Sequence, residues 1–111
     1  MIAQPCNQFA SQEPLEGEAL FNHITTRWMP VGDWVFLERA DVNGDNATPL
    51  YEFLKNHPNC TSLFTPNMVM WNYEKFLIGR DGVPIMRARI TTNPEDMEDD
   101  IIDALAMPKV V

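Results

Sequence analysis

An α/β fold is what this 111-residue chain predicts, on three observations. Apolar residues recur at helical spacing after Pro14, an aromatic and β-branched run stands at 34–38, and two apolar runs flank Asp81-Gly82. With 45% hydrophobic residues the chain can bury the core of one small domain, read as residues 1–111.

Each element has a local reason. "MIAQP", residues 1–5, reads as the end of an extended run. From Pro14, which suits a first turn, Leu20, Ile24 and Trp28 predict a helix over 14–27, with Gly17 as its weak point. "WVFLE", residues 34–38, reads as a short strand, and "DVNGDN" after it as a turn cluster. Thr48 as N-cap and Pro49 at the first helical position open a second helix, with Leu50, Phe53 and Leu54 on one face and Pro58 beyond its end. "KFLIG", "RDG" and "VPIMRAR" make a hairpin whose second strand, because of Pro84, starts irregularly or at an edge. A last helix starts at Asn93-Pro94-Glu95, with Glu95 and Asp96 at the positive end of its dipole and Ile101, Ile102 and Leu105 as its apolar face. This order is that of the later part of a thioredoxin-like sheet, which needs one more strand and helix at its front.

Composition narrows the function. A formal charge of -8 repels phosphate backbones and acidic headgroups, so nucleic acid and membrane are not expected as partners, whereas small neutral or polar molecules are. No apolar run approaches the roughly 20 residues of a bilayer span. Cys6 and Cys60 have neither CxxC nor zinc-ligand spacing, and each reads as a buried, inert thiol. Asn46-Ala47-Thr48 and Asn59-Cys60-Thr61 fit the glycosylation pattern, which matters only in an oxidising compartment; the compartment stays open. Asp41, Asn43, Asp45 and Glu52 fall on positions 1, 3, 5 and 12 of a calcium loop, but Asn46 stands where glycine is wanted and Pro49 opens a helix inside it. No metal is expected. His23 and His57 have no evident nucleophile or carboxylate partner, so the usual acid–base constellations are missing.

What remains is a set of neutral donors. In "MWNYEKF", residues 70–76, Trp71 offers an indole N–H and Asn72 an amide, as do Gln8 and Gln12 in "PCNQFASQEP", residues 5–14. Such donors, none titrating near neutral pH, suit an anion, and specifically a thiolate or selenolate.

Together "PCNQFASQEP", "DVNGD" and "WNYEKFLIGRDGVPIMR" resemble the glutathione peroxidase family across essentially the whole chain. The resemblance implies a thioredoxin-like fold in which a cysteine or selenocysteine at the end of the first core strand attacks a peroxide, surrounded by a Gln, a Trp and an Asn. Carried over, these are Gln12, Trp71 and Asn72, with Asn7 and Gln8 shaping the loop. It also implies thiol-dependent reduction of hydrogen peroxide or organic hydroperoxides in oxidative stress defence, with a peroxide and a thiol, typically glutathione, as small-molecule partners and no cofactor. Arg87 and Arg89 are candidates to grip glutathione carboxylates, or else a solvated strand face.

The chain departs from the family pattern in three places. Ala10 stands where the family has glycine, and Pro14-Leu15-Glu16-Gly17 replaces the usual sequence after "QE". "TTRWMPVGDW" is shorter than the glycine-rich region of animal tetrameric members, so oligomeric state is left open. The front strand with the peroxidatic residue, cysteine or selenocysteine, is expected upstream of Met1. The fold is thus expected to be incomplete at the N-terminus, and the chain alone inactive. The alternative is a non-catalytic remnant that folds partly or pairs with another chain through open strand edges.

Overall fold

The computed structural model describes residues 1–27, 32–61 and 67–110; Trp28 and the rest of 28–31 lie outside the described residues. These residues group into two compact units, Met1–Thr48 and Pro49–Val111. Among the described residues the strands form two two-stranded sheets.

In the first unit, β1 (Ile2–Ala3) and β2 (Val35–Phe36) pair in parallel, Ile2 opposite Val35 and Ala3 opposite Phe36. The ladder runs past both strands, because Val35 N–H donates to the Met1 carbonyl at 2.9 Å, Leu37 N–H to Ala3 at 3.0 Å and Ala40 N–H to Pro5 at 3.1 Å. "MIAQP" is therefore extended throughout. α1 spans Gly17–Arg27 and corrects the expected start at Pro14. Gly17 holds φ +55°, a left-handed value that interrupts the helical path, so residues 14–16 stay outside. Leu20 is buried and Ile24 half-buried on this helix. Phe21 meets Phe36 of β2 edge to face at 5.9 Å, and Trp34 stacks on the same ring at 6.1 Å. Cys6, Phe9 and Val42 complete the core of this unit.

In the second unit, α2 (Pro49–Asn56) begins at its proline as expected. Its buried side differs. Leu54 and Lys55 are buried, whereas Leu50 is 38% and Phe53 51% exposed. Tyr51 explains the rotation, since its ring meets Phe76 edge to face at 5.9 Å and turns the 51/54/55 side inward. Pro58 opens a 3₁₀ turn, Pro58–Cys60, capped by His57, whose Nδ1 accepts the Asn59 N–H at 3.2 Å.

β3 (Lys75–Ile78) and β4 (Pro84–Ala88) form the antiparallel hairpin. Its turn is closed by the Asp81 carboxylate, which accepts the Val83 N–H at 3.0 Å, and by Gly82 at φ +82°. The register shifts between Leu77 and Ile78, beside Pro84, which has no N–H to give the ladder. A 3₁₀ turn, Pro94–Met97, leads into α3 (Glu98–Ala106). The expected apolar face of α3 is corrected: Met97 and Ala104 are buried, while Ile101, Ile102 and Leu105 are 37%, 54% and 60% exposed. Among the described residues no helix is long and apolar enough to cross a membrane.

Candidate functional site

The opening loop of the first unit is organised by Gln8. Its Oε1 accepts the N–H groups of Val42 and Asn43 at 2.9 and 3.0 Å, and its Nε2 donates to the Asn43 carbonyl at 2.8 Å. One amide thereby ties "CNQF" to the "DVNG" turn. Asn7 Oδ1 accepts the Glu13 N–H at 2.9 Å, so both side chains shape the loop, as expected of them. Arg39 closes its far end, donating to the Glu13 carbonyl at 2.8 Å and pairing with Glu16.

Gln12 follows two left-handed residues, Ala10 at φ +55° and Ser11 at φ +51°, and its own N–H returns to the Phe9 carbonyl at 3.4 Å. Its side chain is exposed. An open cavity of about 580 Å³ in this unit is lined by residues including Gln8, Glu16, Glu38, Arg39 and Asp41. Gln12 is not among its lining residues, and the cavity's acidic wall suits no anion, so we do not place the chemistry there.

Trp71 and Asn72 belong to the second unit, on the loop that enters β3. Trp71 is 40% exposed and Asn72 half-buried. Tyr73 holds φ +66°, an unusual value for an aromatic residue. The segment is anchored from beneath by an ion pair, Arg87 Nε to Glu74 Oε1 at 2.7 Å, with side chains only 6% and 4% exposed. Glu74 Oε2 accepts the Met70 N–H at 3.3 Å. Arg87 also donates to the carbonyls of Cys60, at 3.4 Å, and Met68, and its guanidinium lies 5.4 Å from the centre of the Phe76 ring. A thiol carboxylate seeking Arg87 would have to compete with all of these. Arg89, just beyond β4, is exposed.

Glu74 was not singled out from sequence, yet a signal was present. Pairing about Asp81-Gly82 sets Arg87 opposite Phe76. Strand periodicity then brings Glu74, two residues before Phe76, to the same face as Arg87.

Both cysteines are free and buried, as expected, Cys6 at 8% and Cys60 at 1% exposure. The Cys6 thiol donates to Gln8 Oε1 at 3.4 Å. Burial pushes the Cys60 thiol above its usual range, against a lowering by the Arg87 charge. A peroxide-reducing thiolate needs the opposite: access and a lowered pKa.

The glutathione peroxidase family model matches residues 1–55. The Nicotiana sylvestris protein named "Probable phospholipid hydroperoxide glutathione peroxidase" is 41% identical over 101 residues, covering 91% of this chain and 57% of that protein. Glutathione peroxidase 1 of Caenorhabditis elegans is 41% identical over 105 residues, covering 95% and 61%. The chain thus spans somewhat under two thirds of the length of these relatives. Among solved structures, that of Trgpx in apo form superposes with a TM-score of 0.66 at 31% identity, covering 98% of this chain and 81% of that one. That of T. cruzi GPX1 gives 0.70 at 32%, covering 98% and 61%. Likeness at this identity over nearly the whole chain, in sequence and in backbone, makes this protein a member of the glutathione peroxidase family with its thioredoxin-like fold.

Proposed function

We propose that the protein reduces hydroperoxides at the expense of thiol, with Trp71 and Asn72 as neutral donors to a thiolate or selenolate and Gln12, in the first unit, as a candidate donor of the same neutral kind. The observation that carries this reading is the Trp71-Asn72 pair: two consecutive non-titrating donors on a loop whose backbone is held by a buried ion pair. Family membership and the relatives' names support the substrate class, small peroxides and a thiol such as glutathione.

In the proposed cycle the anion attacks one peroxide oxygen and the O–O bond breaks. The departing oxygen leaves as alcohol or water after taking a proton, and the nucleophile becomes a sulfenic or selenenic acid. One thiol condenses with it, releasing water and forming a mixed disulfide or selenylsulfide. A second thiol attacks that bond, releases the disulfide and restores the anion. The donors act twice, holding the resting anion and stabilising charge on the departing oxygen. Arg89 is the more accessible of the two arginines for a thiol carboxylate.

The buried cysteines favour a nucleophile other than Cys6 or Cys60, and therefore favour the second reading for these 111 residues by themselves, that they are non-catalytic. The test is thiol-dependent consumption of hydrogen peroxide, tert-butyl hydroperoxide and a phospholipid hydroperoxide by the complete gene product and by residues 1–111 alone. We expect two thiols oxidised per peroxide with the former, none with the latter, and turnover that survives Cys6→Ser and Cys60→Ser. No consumption by the complete product would refute the function; loss of turnover in Cys60→Ser would make that buried thiol the nucleophile after all.

A further inference from the structure

We infer that Glu74 and Arg87 are positioning residues that hold the Trp71-Asn72 loop in its donor geometry, and that this, not stability, is the use of their buried ion pair. The inference rests on the reading of Trp71 and Asn72 as donors to an anion. Replacing a buried pair by apolar groups is often neutral or stabilising, so its presence alone is weak evidence of a stabilising purpose. What the pair grips is more telling. Glu74 Oε2 accepts the N–H of Met70 and Arg87 donates to the carbonyl of Met68, so both charged groups hold backbone within three residues of Trp71. Glu74 itself is two residues past Asn72. The loop is held on both sides of its donors.

The backbone between these anchors is strained. Tyr73, at φ +66° and 81% exposed, has no packing of its own to justify a left-handed conformation. Such a conformation persists where neighbours over-determine it: Lys75 Nζ donates to the Tyr73 carbonyl at 2.7 Å, while Glu74 and Arg87 grip the preceding backbone at Met70 and Met68. Arg87 is fixed in turn by Phe76 beneath its guanidinium and by the Cys60 carbonyl, which leaves the fork little freedom to shift. Charge matters as well as reach, because lysine in place of Arg87 offers one point charge where a planar fork serves a carboxylate and two carbonyls.

The test uses the complete gene product labelled with 5-fluorotryptophan, the Trp71 ¹⁹F resonance being identified by its loss in Trp71→Phe. The double variant Glu74→Leu/Arg87→Met exchanges the pair for apolar groups of similar volume. We expect it to keep its thermal midpoint, to shift and broaden the Trp71 resonance, and to lose between about tenfold and a hundredfold in kcat with little change in the KM for peroxide. Arg87→Lys is expected to fall between this variant and the parent in both readouts. A folded double variant with native resonance and native kcat overturns the inference. If the double variant does not fold, Glu74→Gln, which keeps volume and an acceptor oxygen, replaces it: a displaced resonance supports the inference and an unmoved one overturns it. Should the parent show no turnover, the proposed function falls while the resonance still decides the positioning role.

Discussion

Ala10 and Ser11 hold left-handed backbone without glycine's freedom. For an L-residue this conformation costs about 1–2 kcal/mol, offset in part by the lower entropy of the unfolded alanine chain. Ala10→Gly is therefore expected to stabilise the protein by up to about 1 kcal/mol, or several degrees in Tm, measured by calorimetry. The cysteines carry a second prediction. Because burial favours the neutral Cys60 thiol, the folded protein keeps that proton to higher pH than the unfolded chain does. The stability this gives is fully present below the usual thiol range and is lost as pH rises through the folded pKa. Urea midpoints should thus fall more steeply above about pH 8.5 in the parent than in Cys60→Ala, and native Cys60 should resist alkylation at neutral pH. Both burials were legible from sequence, since neither cysteine had a partner at a reactive spacing; the backbone strain at Ala10 was legible only as a mismatch with the family.

Turns and strands were the readable elements, because their chemistry is local. Asp81-Gly82 builds the hairpin turn, Pro84 disturbs the register, and Pro49 and Pro58 bracket α2, all within a few residues of the cause. Helix faces were not. A short helix with apolar residues on more than one side takes its buried face from whatever packs on it, and for α2 that is Phe76, reached by Tyr51. The burial of Lys55 runs against its ordinary surface preference and could not be read from α2 alone. Two substitutions probe elements directly. A Cβ at Gly79 would sit 2.7 Å from Asp81 Oδ1 and 3.3 Å from the Val83 carbonyl, so Gly79→Ala must disturb the turn's closing bond. A loss of about 1–2 kcal/mol by chemical denaturation is expected. Gln8→Ala strips four hydrogen bonds from the loop and turn, taking the shared acceptor from the Val42 and Asn43 N–H groups and the Cys6 thiol, and the donor from the Asn43 carbonyl. Its expected cost is about 2 kcal/mol, well above that of an ordinary surface change.

At the level of the whole molecule, the strand and helix order pointed to a thioredoxin-like fold, and backbone likeness to glutathione peroxidase structures supports the same assignment. Trp71, Asn72 and Gln12 stand out in the sequence as neutral donors, but the resemblance is what gives them a catalytic role, since a tryptophan beside a strand is more often core than chemistry. The Glu74–Arg87 support is not legible from local sequence, because its members lie 13 residues apart on opposite arms of a hairpin. The account stands on Trp71 donating to a chalcogen anion. Its most direct test is the peroxidase kcat of Trp71→Phe in the complete gene product, at saturating thiol and with folding checked by circular dichroism. Removing one preorganised donor to a reacting anion is predicted to lower kcat about a hundredfold or more. A folded Trp71→Phe protein turning over at the parent rate would contradict it.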